Sequence, residues 1–388
     1  ERLLYSGGSM NKRKNRTTSI PFHKDFQPPD EEAINHALGE FPIKLKMLEG
    51  QNEYHCLNNR TFFQKANHQP LPACNHPEDW LASYLENGET FDQYREQQCL
   101  RSGRFRGSAN IGCNTIHLVQ IGDVEPGLVD KIVQYCSSFF QRRVELVEPV
   151  QVIWDLSDET RRLRNDRILL QDFSGASYVV RYRRSSVRPD RRQLHVEDVL
   201  SALAGLKDSP EFQKRYEDSF CLMAVTIQDL FQSTEDLFIA GLAAAGMKVA
   251  AFSFFRYQPG LVVSKSNWDS FHYRKVSQKT EQARKVEFLR RALKLVVHEL
   301  GHLFGIGHCV HYFCVMNGSG HLQEDFNAPL SICPVDLRKL TFRLNLNIVE
   351  RYNDLARLCG QWSLSKEEAF FKAKVEMLLN YSQKEEII

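Results

Sequence analysis

The middle of the chain alternates apolar and polar runs in the order that a βαβ unit requires. The apolar run 115–121 predicts a strand, the spacing of apolar positions over 128–143 predicts a helix, and the β-rich run 144–152 predicts a second strand. Two more apolar runs, at 220–227 and 249–257, predict further strands. Strands and helices that follow one another in this way indicate an α/β fold.

Helical spacing dominates the second half of the chain. Residues 195–206 predict a short helix, and 281–304 predict a long one whose apolar positions recur every three or four residues. Three more helices are predicted at 336–344, 348–358 and 366–379. We therefore expect the C-terminal part of the protein to be helical.

Composition divides the chain into three segments. Residues 1–108 are rich in asparagine, glutamine, proline and charge but keep scattered aromatic residues, so we expect an N-terminal extension that is partly ordered. Most of the strand and helix patterns lie within 109–345, which we expect to be the main domain. Residues 346–388 are expected to form a C-terminal helical extension.

The charge balance and the cysteine content exclude several classes of protein. Lys and Arg number 50 against 48 Asp and Glu, a formal net charge of +2, which argues against nucleic-acid binding by bulk positive charge. No run approaches the roughly 18 apolar residues of a membrane helix, and the first residues lack the apolar core of a secretory signal. Ten cysteines are too few for a disulfide scaffold. We expect a monomer with no membrane partner in the cytoplasm, or in the nucleus if the basic cluster 12–16 is an import signal.

Arginine is concentrated between residues 161 and 192. Acidic neighbours and interleaved apolar residues favour a long exposed loop or hairpin over a basic surface for nucleic acid. Nucleic-acid binding remains a third hypothesis for the function, and it predicts an affinity that falls steeply with salt.

The end of the long predicted helix carries the pattern His298-Glu299-Leu300-Gly301-His302, followed by Gly305 and His308. His298 and His302 are four residues apart, so both imidazoles can face one metal ion. Gly305 tolerates the backbone angles needed to leave the helix, and the turn can bring His308 round as a third ligand. Three imidazoles and a water make an open zinc site of the catalytic type. The competing interpretation is a polar helix end with packed histidines.

These residues resemble the archaemetzincin (archaelysin) family of metzincin zinc peptidases. Met316 follows the third histidine at the distance of the turn that lies beneath the metal in that clan. The family also has a cysteine directly after the third histidine, a second a few residues later, and a Cys-Pro-x-Cys-x-x-Lys-Leu segment. This chain has Cys309, Cys314 and the segment 333–340. The resemblance is dense over 295–340 and looser over 115–257.

The resemblance implies a second, structural zinc ion held by four cysteines. The matching positions here are Cys309, Cys314, Cys333 and Asp336, so one cysteine is replaced by aspartate. A carboxylate oxygen can bind zinc, which allows a site of three cysteines and one aspartate. His311 or His321 could take the fourth position instead, or the site could be empty.

The resemblance implies a metzincin-like α/β fold with a mixed twisted sheet, a backing helix, a zinc-binding helix and a C-terminal helical subdomain. The run 249–257 resembles the edge strand along which the family's clan binds an extended peptide, although a core strand is as plausible. The implied function is hydrolysis of peptide or protein substrates by attack of a zinc-bound water, with Glu299 as general base. The alternative is a catalytically weak, zinc-stabilised binding protein.

Overall fold

A computed structural model describes residues 10–12, 26–41, 63, 68–75, 77–84, 86–102, 114–154, 166–185, 192–234, 236–258 and 280–385. Much of the expected N-terminal extension, nearly all of the basic cluster 12–16 and parts of the arginine-rich stretch lie outside these residues.

The strands, numbered along the chain, have the following bounds: β1 Met10–Lys12, β2 Thr115–Ile121, β3 Val144–Leu146, β4 Gln151–Ile153, β5 Arg167–Gln171, β6 Ser177–Arg184, β7 Arg192–His195, β8 Ser219–Thr226, β9 Asp229–Phe231, β10 Asp236–Phe238, β11 Gly241–Ala244 and β12 Val249–Ser253. The α-helices have these bounds: α1 Glu31–Leu38, α2 Trp80–Ser83, α3 Phe91–Ser102, α4 Pro126–Phe140, α5 Val196–Asp208, α6 Pro210–Arg215, α7 Glu281–Leu303, α8 Leu322–Asn327, α9 Pro334–Leu344, α10 Ile348–Gln361 and α11 Ser365–Glu385.

The first five-stranded sheet has the order β11-β12-β8-β2-β3. β11 is antiparallel to β12, whereas the other neighbours are parallel, so the sheet is mixed as expected. Every residue of β12 is buried, which suits a strand that is paired on both sides and covered on both faces. The interpretation of 249–257 as an edge strand is therefore wrong. The edge is β11, and the chain turns into a short 3₁₀ helix at Phe255–Tyr257.

The second five-stranded sheet has the order β4-β5-β6-β7-β9. Its β5–β6 pair is an antiparallel hairpin, which confirms the hairpin interpretation for the described part of the arginine-rich stretch. Arg181 pairs with Asp198, and Arg192 lies over the rings of Trp154 and Tyr182. The run 144–152, expected to be one strand, is divided between β3 in the first sheet and β4 in the second.

Two apolar layers cover the faces of the first sheet. The larger contains α4, α7, α9 and α10 together with parts of α1, α3 and α11. The smaller lies between the two sheets and contains the apolar side of α5. The α/β fold, the long helix and the C-terminal helices are thus confirmed. In the described part of the chain, no helix combines the length and the apolar character needed to cross a membrane.

The helix that carries the metal-binding pattern is fixed at both ends. Thr280 caps the first turn of α7 by accepting a hydrogen bond from the Ala283 N–H at 3.2 Å. The last three turns are buried apart from His298, because they pass beneath β11 and β12. The helix therefore presents its C-terminal turns as a rigid support for side chains.

Candidate metal centre

The two helical histidines converge as their spacing predicts. Nε2 of His298 and Nε2 of His302 are 3.1 Å apart. The opposite nitrogens are both held by the backbone, because Nδ1 of His298 is 2.8 Å from the Val315 carbonyl and Nδ1 of His302 is 2.7 Å from the Ile306 carbonyl. A carbonyl accepts only from a protonated Nδ1, so each Nε2 keeps its lone pair for a ligand.

Gly305 brings the third histidine to the same place. Its φ of 86° ends the helix in the left-handed region, and the Ile306 N–H donates to the Gly301 carbonyl at 3.1 Å across the turn. The ring of His308 then lies 5.4 Å from that of His298 and 5.1 Å from that of His302, measured between centroids. One nitrogen of each of the three histidines lies within 4.8 Å of the others.

This donor set fits a zinc ion. Zinc–nitrogen bonds of about 2.05 Å place the nitrogens of a tetrahedral site about 3.3 Å apart, close to the spacing of the two helical histidines. Burial lowers the pKa of His302 to about 3, with the neighbouring His308 adding to the effect. Burial likewise holds the pKa of His298 well below its usual value. Both imidazoles are therefore neutral at physiological pH, which is the form that binds metal.

Glu299 lies beside this group and is 2% exposed. Burial, reinforced by the nearby Asp325, raises its pKa to about 8. Its Oε2 makes no hydrogen bond to any described residue. A Cβ added at Gly241 would lie 3.3 Å from the Glu299 Cγ, so the carboxylate stem runs beneath the edge strand β11. The side chain is thus a buried carboxyl group with spare hydrogen-bonding capacity, one residue along the helix from His298.

Met316 occupies a tight turn under the helix. The Asn317 N–H donates to the Cys314 carbonyl at 3.0 Å and closes the turn. The thioether fills the space left by Gly301, where an added Cβ would lie 2.6 Å from the sulfur. The turn that contains Met316 also contains the Val315 carbonyl that orients His298, so it supports the candidate ligands from below.

The second group predicted from the sequence is also brought together. Sγ of Cys309 and Sγ of Cys333 are 3.6 Å apart, and Oδ2 of Asp336 lies 3.5 Å from Sγ of Cys314 and 3.4 Å from Sγ of Cys333. All four side chains are buried. In a tetrahedral site with bonds of about 2.3 Å to sulfur and about 2.0 Å to oxygen, these separations are about 3.8 Å and about 3.5 Å. The donor set therefore fits a zinc ion with Asp336 as the fourth ligand.

The side chains of this group differ in how readily they lose a proton. Burial opposes ionisation of Cys309, but hydrogen bonds from the Cys314 and Cys333 thiols outweigh it and hold its pKa well below the usual value. Burial and the Cys309 thiolate raise the pKa of Asp336 to about 7. Lys339, 1% exposed, approaches Oδ1 of Asp336 at 3.0 Å and leaves Oδ2 toward the sulfurs.

The two histidines considered as substitutes for Asp336 do not join this group. His321 instead lies with Asp79 and Glu324 in a third cluster of possible ligands. Its Nδ1 accepts from the Glu324 N–H at 3.2 Å and its Nε2 is 2.8 Å from Asp79 Oδ1, so both ring nitrogens are already used. Glu324 accepts from the backbone N–H groups of Trp80 and Gly320. The hydrogen bonds of this cluster join the segment 79–80 to the segment 320–324.

Residues of the segment 80–86 contact the candidate centre, and no sequence motif predicts this contact. Oε1 of Glu86 lies 2.9 Å from Nδ1 of His308. The Trp80 ring stands edge-on to His308, with 4.9 Å between centroids, and it stacks on Tyr84 at 4.1 Å. A single glutamate in a charged segment has no motif that could connect it to a histidine 222 positions away.

The sequence profile of peptidase family M54 matches residues 148–341, which are half of the chain. The chain belongs to peptidase family M54. Both candidate metal groups of this M54 protein lie within the matched region. The peptidase expected from the sequence is thereby confirmed at the level of the family.

Other known proteins are similar to this M54 chain over longer stretches. Human archaemetzincin-2 is 28% identical over 341 residues, which are 81% of this chain and 82% of the human protein. Among solved structures, archaemetzincin from Methanopyrus kandleri is 19% identical with a TM-score of 0.37, and the match covers 60% of this chain and 97% of that one. A zinc-dependent peptidase from Methanocorpusculum labreanum is 20% identical with a TM-score of 0.35, over 58% and 99% of the two chains.

Proposed function

We propose that this protein hydrolyses peptide bonds at a zinc ion held by His298, His302 and His308, with Glu299 as the general base. The observation that carries the proposal is the pair of Nε2 atoms 3.1 Å apart, each on a ring whose Nδ1 is held by a backbone carbonyl. If the histidines were only packed at a polar helix end, two buried nitrogen lone pairs that face each other would be unfavourable.

A zinc ion held by these three histidines would supply a Lewis acid, which lowers the pKa of water and polarises carbonyl groups. Glu299 receives the proton of the attacking water and delivers it to the leaving amine nitrogen. Glu299 is buried and its Oε2 makes no hydrogen bond to a described residue, so the carboxylate is available to accept this proton and release it again. The backbone carbonyls of Val315 and Ile306 keep two of the imidazoles in the orientation that the metal requires.

We further propose a structural zinc ion held by Cys309, Cys314, Cys333 and Asp336. The spacing of the donor atoms supports it, and Lys339 supports it by holding the second oxygen of the carboxylate. The ion would fix the loop that follows the third histidine, because Cys309 comes directly after His308. We assign the chemistry to residues 109–345, with 1–108 as a partly ordered N-terminal extension and 346–388 as a C-terminal helical extension.

The partners and the location follow from the same proposal. The substrate is a peptide or protein, and we propose a monomer that binds neither nucleic acid nor membranes. The cysteines that the structure describes are all free thiols, which supports a reducing compartment such as the cytoplasm or the nucleus.

The test is turnover of a mixed peptide library by zinc-loaded protein and by Glu299→Gln. The variant should lose about 10²- to 10⁴-fold in kcat, the usual contribution of a general base, while it retains its zinc. Glu281→Gln changes an exposed glutamate at the start of the same helix and should leave turnover unchanged.

Hydrolysis that survives in Glu299→Gln would exclude the proposed base. A wild-type protein that binds zinc at the three histidines but cleaves no peptide would favour the alternative, a zinc-stabilised binding protein.

A further inference from the structure

The third histidine differs from the other two in what holds its second nitrogen. His298 and His302 donate to carbonyls of residues close to them in the fold and in the sequence. Nδ1 of His308 instead meets a carboxylate, Oε1 of Glu86, at 2.9 Å. A metal-binding histidine that donates to a carboxylate has a fixed tautomer and ring orientation and a more basic ligand nitrogen.

We propose that Glu86 is a positioning residue for the zinc site, and that it orients His308 so that Nε2 faces the metal. The segment around Glu86, residues 77–84 and 86–90, is then part of the metal centre although it lies more than 50 residues before the region matched by the family profile. The inference rests on the proposed zinc site but not on the reaction carried out there.

The segment is held against the centre by several contacts independent of Glu86. Both carboxylate oxygens of Glu324 accept from the Trp80 N–H, at 3.0 and 3.1 Å. Asp79 pairs with His321 at 2.8 Å. Gly320 faces the Glu78 carbonyl so closely that an added Cβ would collide with it, so the segment and the loop pack backbone to backbone. Glu86 therefore approaches His308 from a fixed position.

The exposure of the pair agrees with a positioning role. The His308 side chain is 8% exposed and that of Glu86 is 27% exposed. Oε2 of the carboxylate is buried, and Oε1 is directed at the imidazole. Loss of the Glu86 contact should therefore be seen first in zinc binding and, through the bound zinc, in folding stability.

The experiment measures the zinc affinity of Glu86→Ala, Glu86→Gln and Glu86→Asp by competition with a chromophoric chelator. His308→Ala in parallel identifies which bound zinc belongs to the three histidines. Glu86→Ala should lower the affinity for that zinc ion by about 10- to 100-fold, the usual cost of losing the hydrogen-bond partner of a ligating histidine. Glu86→Gln should lose less, because its amide oxygen can still accept from Nδ1, and Glu86→Asp should recover part of the affinity. Glu96→Ala, on the exposed side of α3, is the matched control.

Two further readouts separate positioning from a general structural effect. The visible spectrum of the Co²⁺-loaded protein should change in Glu86→Ala, since it reports the geometry around the metal, and should not change in Glu96→Ala. Gly320→Ala displaces the segment without touching a ligand, and it should reproduce the loss of zinc affinity seen in Glu86→Ala.

An unchanged zinc affinity and cobalt spectrum in both Glu86→Ala and Glu86→Gln would overturn the inference, whatever the peptidase activity. A wild-type protein with no zinc that depends on His308 would overturn it as well. If Glu86→Ala weakens this zinc but wild-type protein cleaves no peptide, the inference stands and the proposed hydrolysis fails.

Discussion

Replacement of Asp336 by alanine tests whether the cysteine cluster is a metal site. The change removes the oxygen that lies 3.4 Å from Sγ of Cys333 and 3.5 Å from Sγ of Cys314, so a bound zinc would have three ligands. Loss of a residue that hydrogen-bonds to a metal ligand costs about 10- to 100-fold in metal affinity. Loss of a ligand itself should cost at least the upper end of that range. Asp208→Ala, at an exposed aspartate, is the control.

A hundredfold weaker zinc affinity lowers the stability of the zinc-loaded protein. At a zinc concentration about 100 times the wild-type dissociation constant, bound zinc adds about 2.7 kcal/mol to the free energy of unfolding, most of which the variant would lose. For a domain of this size that corresponds to a change of about 5–10 °C in Tm. The measurement is the Tm difference between zinc-loaded and chelator-treated protein, because the subtraction removes the separate cost of leaving Lys339 without its carboxylate.

Elemental analysis completes the assay. Wild-type protein should hold about two zinc ions per chain, Asp336→Ala about one, and Asp336→Cys about two, because a thiolate is a strong zinc ligand. One zinc in both wild type and Asp336→Ala, with no change in the chelator-dependent Tm, would refute the reasoning from donor spacing. The cluster would then be three thiols and a carboxyl group held by hydrogen bonds alone.

Two further predictions concern buried charges away from the metals. Asp229→Ala should lower the free energy of unfolding by about 3–5 kcal/mol in urea titrations, because the buried Arg256 loses a carboxylate that lies 2.7 Å from it. A loss below about 1 kcal/mol, the usual value for an exposed ion pair, would contradict this. Burial lowers the pKa of Lys374 from 10.5 to about 8, so the unfolded chain binds more protons between these values and stability should rise with pH across that window. Lys374→Met should therefore have a free energy of unfolding up to about 3 kcal/mol higher at pH 7, and its stability should not rise between pH 8 and 10.5. If the free energy of unfolding has the same slope against pH in the two proteins over that window, the lowered pKa of Lys374 is contradicted.

The sequence predicts the features that depend on local spacing. The i, i+4 histidines, the glycine turn and the thiols after it were predictable because the helix period and the conformational freedom of glycine act within a few residues. Strand order was not predictable. The run 249–257 has the composition of any buried strand, and the neighbour that makes it an interior strand, Gly241–Ala244, is too short and too rich in small residues to predict.

The contact of Glu86 with His308 could not be predicted from the sequence for a similar reason. Its partner is far away along the chain, and the segment that carries it resembles a solvated extension in composition. The packing of Trp80 and Glu324 places it at the candidate metal centre. The tertiary structure, and not the local pattern, decides which carboxylate meets the third histidine.

The position of β2 shows that the limits of a family match need not be the limits of a foldable piece. The match begins at residue 148, after β2 and β3, yet β2 fills the place between β8 and β3 in the first sheet. A chain trimmed to the matched region would keep β11, β12 and β8, and it would turn β8 into an open edge of eight residues, seven of them buried in the intact protein. Such an edge offers unpaired backbone groups on a long apolar strand, the arrangement that promotes aggregation. Shortened versions made for crystallisation or expression should therefore begin before Thr115.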